Sequence, residues 1–160
     1  MRWNVAGALL IGWSAAVAPS AIAAGADHLI VGVDQMKFGP VPPVLPPGAE
    51  IAVLSGDPGK RGHFVVAIRG PQGYTVPPHW HSTDEHVTVI TGSFTMGMGD
   101  SSSAGDGIAL TPGGYARMPA RMHHWAMAGA PFLIQVEAMG PFDIHYIHPE
   151  DNPAKPAKKK

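Results

Sequence analysis

The 160-residue sequence predicts an all-β domain, folded as a barrel or as a double-sheet jelly roll. Its 20 glycines and 17 prolines separate short apolar stretches, a pattern typical of many short strands joined by tight turns. No long helical period appears along the chain. Closing such strands into a barrel or a double sheet shields most strand edges from solvent.

Eleven segments have the length and composition of strands. They cover residues 28–33, 50–55, 64–69, 76–81, 85–91, 93–98, 107–110, 114–118, 124–127, 132–138 and 142–148. Between the first two segments, residues 40–48 contain five prolines and predict an extended connector. Residues 100–107, rich in serine and glycine, predict a flexible loop.

The first 26 residues have the composition of a secretory signal peptide. A positively charged start precedes a nearly uncharged apolar run over residues 5–17, and small-residue patterns then predict cleavage after Ala23 or Ala26. Pro19 interrupts this run before it reaches the roughly 20 apolar residues that a membrane anchor needs. We therefore expect a periplasmic or secreted protein whose barrel domain occupies residues 27–148.

Composition limits the partners and the metal chemistry of the mature chain. The formal net charge is −1 and the only basic run is Lys158-Lys159-Lys160, so we expect no nucleic-acid binding. Residues 149–160, rich in proline and lysine, predict a disordered tail. Because the chain has no cysteine, nitrogen and oxygen atoms must hold any metal. After signal cleavage, we expect no membrane association.

Two histidines and a glutamate near the middle of the chain have the spacing of metal ligands. Residues two apart on a strand point to the same face, so His79 and His81 can bind one ion together. A short turn then lets the next strand begin with Glu85 directed at that ion. The same alternation predicts that Val87 and Val89 face the interior beside Glu85.

This segment resembles the first signature of the cupin superfamily, which specifies two glycines, a His-x-His pair and a glutamate at set intervals. Every specified position is occupied, by Gly73, His79, His81, Glu85 and Gly92. The segment is also similar to small exported bacterial cupins with a single domain. The resemblance covers most of the mature chain and implies a double-stranded β-helix, the jelly-roll barrel of cupins.

The second cupin signature is matched in part. Gly113, Pro119 and His124 fall in register with it, which nominates His124 as a fourth metal ligand. Arg121 stands where the signature has glycine, and Ala128 stands where it has asparagine. Since Arg121 carries a Cβ atom, we expect the turn at this position to lack the conformational freedom of glycine.

The resemblance thus implies a metal site made of His79, His81, Glu85 and His124. Three imidazoles and one carboxylate suit a divalent transition-metal ion such as Mn, Fe, Ni, Cu or Zn, whereas Ca and Mg prefer all-oxygen ligands. His123 is the alternative ligand if the register of its strand is shifted by one residue.

The resemblance also implies a metal-dependent, dioxygenase-like enzyme that acts on a small organic molecule. One alternative is a non-catalytic module that binds a metal or a small ligand. Another is a metal-assisted isomerase or decarboxylase, for which Glu137 and Tyr115 are the candidate proton donors. Tyr115, Arg117 and Arg121 are candidates for contacting a substrate carboxylate, the arginines through a bidentate contact. By analogy with the family, we expect a homodimer.

Overall fold

Two antiparallel sheets form the computed structural model, which describes residues 28–103 and 105–155. Its strands are β1 (Gly39–Pro40), β2 (Glu50–Ser55), β3 (Gly62–Gly70), β4 (Thr75–Trp80), β5 (Glu85–Thr91), β6 (Phe94–Met98), β7 (Gly107–Leu110), β8 (Tyr115–Met118), β9 (His124–Ala128), β10 (Phe132–Gly140) and β11 (His145–Tyr146). The predicted signal peptide lies outside the described residues. None of the helical turns within them has the length and apolar character of a membrane span.

The chain repeatedly crosses between the two sheets, as in a jelly roll. The six-stranded sheet has the order β1-β2-β3-β10-β5-β8, and the five-stranded sheet has the order β11-β4-β9-β6-β7. Every strand pair within the described residues is antiparallel. The all-β, double-sheet prediction is confirmed.

The two sheets share one apolar interior. On β5, Val87 and Val89 are each only 1% exposed, which confirms that both face inward. On β10, Ile134 and Val136 are buried in the same cluster as Phe94 of the opposite sheet. Strand alternation therefore places one row of side chains from each sheet between the sheets.

Three local features differ from the sequence prediction. Residues 28–33 do not form a strand, because Val33 begins a 3-10 turn, Val33–Gln35, and is 56% exposed. The unpredicted strand β1 includes Pro40, which an edge strand tolerates because the missing N–H faces no neighbour. The segment 142–148 contains only the short strand β11, and it continues into a 3-10 turn, Pro149–Asp151.

The turn before β9 adopts the conformation that glycine would favour, although Arg121 occupies it. The backbone of Arg121 has φ 64°, and its N–H donates a 2.8 Å hydrogen bond to the carbonyl oxygen of His81. We expected that an arginine here would keep the turn from using a positive φ. That expectation is wrong, because Arg121 itself adopts the positive φ. For a side chain with a Cβ atom, this conformation costs roughly 1–2 kcal/mol.

We predict that Arg121→Gly raises the free energy of unfolding by about 1 kcal/mol, because glycine adopts positive φ without steric cost. Arg121→Ala is the matched control, since alanine also removes the arginine side chain but keeps the Cβ atom. Urea unfolding of the three proteins measures the difference. Equal stability of the glycine and alanine variants would show that the backbone of this turn is unstrained.

Candidate metal centre

Three buried histidines meet at one end of the barrel interior. His79 lies on β4 and pairs directly with His124 on β9, while His81 follows the end of β4. The ring centroids of His79 and His124 are 4.2 Å apart, and those of His81 and His124 are 5.2 Å apart. One ring nitrogen of each histidine lies within 4.8 Å of those of the other two, so the three side chains have the geometry to hold one metal ion.

Backbone carbonyls orient all three rings in the same way. Nδ1 of His79 lies 2.6 Å from the Pro77 carbonyl oxygen, and Nδ1 of His124 lies 2.9 Å from that of Met122. Nδ1 of His81 faces the Asp143 carbonyl oxygen. Because a carbonyl oxygen can only accept a hydrogen bond, each Nδ1 must carry the proton. In the neutral form of each ring, Nε2 then presents a lone pair, as a metal ligand requires.

The Nε2 atoms of His81 and His124 are buried and have no hydrogen-bond partner. A buried polar atom without a partner is destabilising by roughly 1–3 kcal/mol. The Glu85 carboxylate lies close to both, with Oε2 3.3 Å from Nε2 of His124 and Oε1 3.8 Å from Nε2 of His81. In the neutral rings these nitrogens carry lone pairs, and the carboxylate oxygens only accept, so a metal cation between them would satisfy both sides. The donor set therefore fits a transition-metal ion.

Glu85 is the first residue of β5, and its side chain is directed into this cluster. Burial alone would raise the pKa of Glu85, but its contacts with His124, His81 and His79 outweigh burial and lower the pKa to about 2. Burial, together with the neighbouring His124 and His81, lowers the pKa of His79 to about 3. At neutral pH the cluster thus combines an ionised carboxylate with a neutral imidazole at His79.

The segment between β10 and β11 positions His81. Asp143 accepts the Nδ1–H of His81 through its carbonyl oxygen, and its carboxylate accepts a 2.8 Å hydrogen bond from the backbone N–H of Ser82. His145 also donates to this carboxylate, at 2.9 Å. The ring of Phe142 stacks on His81 with centroids 4.3 Å apart. Sequence reasoning missed these contacts because Asp143 lies 62 positions away from His81, and a carbonyl contact has no side-chain signature.

The packing of Trp125 fixes which of two adjacent histidines faces inward. Trp125 is fully buried on the opposite face of β9, where it pairs with Gly97. A Cβ atom at Gly97 would lie only 2.2 Å from the indole ring, so glycine is required at this close approach. With Trp125 held there, strand alternation turns His124 inward. His123, the alternative ligand, instead lies 2.6 Å from the Asp100 carboxylate through Nδ1.

The candidate proton donors and carboxylate-binding arginines lie outside the barrel interior. Glu137 accepts a hydrogen bond from Gln135, and Tyr115 contacts His86 at 2.6 Å. Arg117 donates a 2.7 Å hydrogen bond to Asp84. None of these side chains lines the cavity that adjoins the histidines within the described part of the chain.

That cavity has a volume of about 360 Å³ and extends from the cluster into the space between the sheets. Part of its wall is the proline-rich connector that the sequence predicted, which contributes Val44 and Leu45. Two tyrosines hold this connector in place. The hydroxyl of Tyr74 donates to the Pro46 carbonyl oxygen at 2.9 Å, and the hydroxyl of Tyr146 donates to that of Val44 at 2.7 Å.

Residues 26–140 match the family described as the ChrR cupin-like domain. No curated protein matches the sequence.

Several solved structures share the fold. The polyketide cyclase RemF from Streptomyces resistomycificus has a TM-score of 0.66 at 17% identity, with 80% of this chain and 91% of that chain covered. A putative acetylacetone dioxygenase from Methylibium petroleiphilum PM1 has a TM-score of 0.60 at 19% identity, covering 82% and 89%. An RmlC-like cupin from Shewanella frigidimarina NCIMB 400 has a TM-score of 0.56 at 17% identity, covering 71% and 91%. At these identities the likeness establishes the fold alone.

The pKa of His79 predicts how the metal-free protein responds to acid. The unfolded chain takes up a proton near the ordinary pKa of 6.5, but the folded protein does so only near pH 3. The stability that depends on a neutral His79 is therefore fully present above pH 6.5 and is lost as the pH falls towards 3. Between pH 6.5 and 4.5, where Glu85 does not yet contribute, protonation linked to His79 lowers the free energy of unfolding by about 2 kcal/mol, and His81, whose pKa burial also lowers, adds a loss of the same sign.

His79→Gln should remove that part of the pH dependence, whereas His86→Gln, on the outer surface, should keep it. Chemical unfolding of chelator-treated protein across this pH range measures both. If the wild type and His79→Gln lose stability equally on acidification, His79 is not held neutral by burial.

Proposed function

Because the chain belongs to the family of ChrR cupin-like domains, we propose that it binds one divalent transition-metal ion and acts as a metal-dependent, dioxygenase-like enzyme on a small organic molecule. The observation that carries this proposal is the set of three buried imidazoles whose Nδ1 atoms are held by carbonyls. Their Nε2 atoms converge beside a buried carboxylate, at the end of a cavity large enough for a ligand.

His79, His81 and His124 would hold the ion through Nε2, and Glu85 would hold it through its carboxylate. The metal is Mn, Fe, Ni, Cu or Zn, according to the mixed nitrogen and oxygen donors. When bound, it supplies a Lewis acid and a template for substrate at coordination positions that the protein leaves open. The chain itself orients the donors, balances part of the ion's charge through Glu85, and encloses the substrate in apolar walls.

The cavity lining favours oxidation over acid–base chemistry. An isomerase or decarboxylase needs a positioned proton donor, but Glu137 and Tyr115 lie outside the cavity. The hydroxyl of Tyr74, which lines the cavity, already donates to the Pro46 carbonyl oxygen. An oxygenase requires no such donor from the protein. The fold does not choose between reactions, since structures that share it include a polyketide cyclase and a putative acetylacetone dioxygenase.

We also propose export to the periplasm or the medium, based on the composition of residues 1–26. Mass spectrometry of the protein recovered from cell fractions tests this. The exported protein should begin at Ala24 or Asp27, and an intact amino terminus in the cytoplasm would contradict export.

We predict that the purified protein binds one equivalent of transition metal. His124→Ala should lower the metal affinity by at least about 100-fold, because losing a ligand should reduce the affinity at least as much as losing a residue that only orients a ligand. His123→Ala is the matched control, because it removes the adjacent imidazole on the other face of β9. Elemental analysis after reconstitution measures the metal content, and circular dichroism confirms the fold. Equal metal loss in the two variants would show that β9 does not present His124 to the ion.

We further predict that the metal-loaded protein consumes dioxygen with at least one member of a panel of phenols, diketones and flavonoids. An oxygen electrode measures the uptake, and the His124→Ala protein provides the background rate. Stoichiometric metal binding without any uptake across the panel would contradict the oxygenase and leave the two alternatives, the non-catalytic binding module and the metal-assisted isomerase or decarboxylase.

A further inference from the structure

Beyond the histidine cluster, hydrocarbon dominates the walls of the cavity. Phe64 and Ile68 come from β3, Phe132 and Ile134 come from β10, and Phe94 comes from the opposite sheet. No lysine or arginine lines the cavity within residues 28–103 and 105–155. Apart from the cluster, Tyr74 and Asp143 are the polar residues of the lining, and the rest of the wall offers a ligand apolar contact.

The remaining polar side chains of the lining are already engaged. Tyr74 donates its hydroxyl to Pro46, and burial raises the pKa of Tyr74 to about 12, so this group is neutral. The Asp143 carboxylate accepts hydrogen bonds from Ser82 and His145. Neither group carries a positive charge, so neither can neutralise a negative charge on a ligand.

A negative charge on the ligand, placed away from the cluster, would thus be buried without a partner. Desolvating such a charge is destabilising by several kcal/mol or more, whereas each apolar Å² buried is favourable by about 0.025 kcal/mol. Arg117, an exposed arginine on β8, is paired with Asp84 and does not line the cavity. Sugars, phosphates and dicarboxylic acids fit this lining poorly.

We propose that the ligand of this site is a small hydrophobic molecule without an anionic group, with one oxygen donor group that faces the histidine cluster. Its chemical class is an aromatic or alicyclic phenol, alcohol or ketone. A volume of about 360 Å³ lies at the small end of ligand pockets, which span roughly 300–1,000 Å³. The inference rests on the proposed function in one respect only, the metal ion that would bind the oxygen atom of the ligand. The apolar walls select the rest of the molecule whether or not a metal is bound.

Three naphthols test this selection directly. 2-Naphthol is neutral, its 6-sulfonate carries a permanent charge at the end far from the hydroxyl, and 6-isopropyl-2-naphthol matches the sulfonate in size without the charge. Isothermal titration calorimetry with manganese-loaded and metal-free protein should show both neutral naphthols binding at least 100-fold more tightly than the sulfonate. Their binding should also have a negative heat-capacity change, the mark of apolar burial. Equal affinities for the sulfonate and the isopropyl compound, or no binding of either neutral naphthol, would overturn the inference.

A pair of variants locates the binding. Ala126 lines the cavity from β9, so Ala126→Phe should fill it and weaken 2-naphthol binding at least tenfold. Ala109 is an exposed alanine on β7, and Ala109→Phe should leave the affinity unchanged. Equal affinities in the two variants would place the probe outside the cavity. If Ala126→Phe does not fold, the comparison of the three naphthols on the wild type still decides.

The outcome separates this inference from the proposed function. Retained 2-naphthol binding by a protein that takes up no metal would contradict the proposed function and leave the apolar selection standing. Full metal binding with no preference for neutral naphthols would contradict the apolar selection alone.

Discussion

The hydrogen bonds from three Nδ1 atoms to backbone carbonyls are the interaction on which this site depends. They set the tautomer of His79, His81 and His124 together, so that every lone pair points to one place. Without them, a ring could rotate or move its proton to Nε2, and that ligand would be lost. The barrel contributes rigidity, because two of the three rings lie on β4 and β9, which pair directly at His79 and His124.

The unpaired Nε2 atoms and the adjoining cavity also imply a link between ligand binding and stability. Two buried Nε2 atoms, of His81 and His124, have no hydrogen-bond partner within the protein, and the apolar walls enclose a cavity of about 360 Å³. A bound ion would satisfy the nitrogens, and a hydrophobic ligand would fill the space. Any species that binds only the folded protein shifts the folding equilibrium towards it. Binding of an ion or of a hydrophobic ligand should therefore raise the free energy of unfolding.

Much of the fold and part of the site could be predicted from the sequence, because both follow from local periodicity. Alternation along a strand placed Val87 and Val89 in the interior, and the spacing of His79 and His81 placed both on one side of the chain. His124 required the family resemblance, since alternation alone cannot choose between it and His123. That choice is made by Trp125, which packs over Gly97 on the outer face.

The rest depends on contacts between distant parts of the chain. The carbonyl oxygen of Asp143 orients His81 from a segment whose sequence suggested an ordinary strand. Tyr74 and Tyr146 hold the proline-rich connector against the cavity through backbone carbonyls, which carry no side-chain pattern.

The central claim is that a metal ion binds through the Nε2 atoms. A crystal structure of the manganese-loaded protein, with anomalous scattering, tests it most directly. The claim predicts one anomalous peak bonded to Nε2 of His79, His81 and His124. A peak bonded through Nδ1, or one located away from these residues, would contradict it.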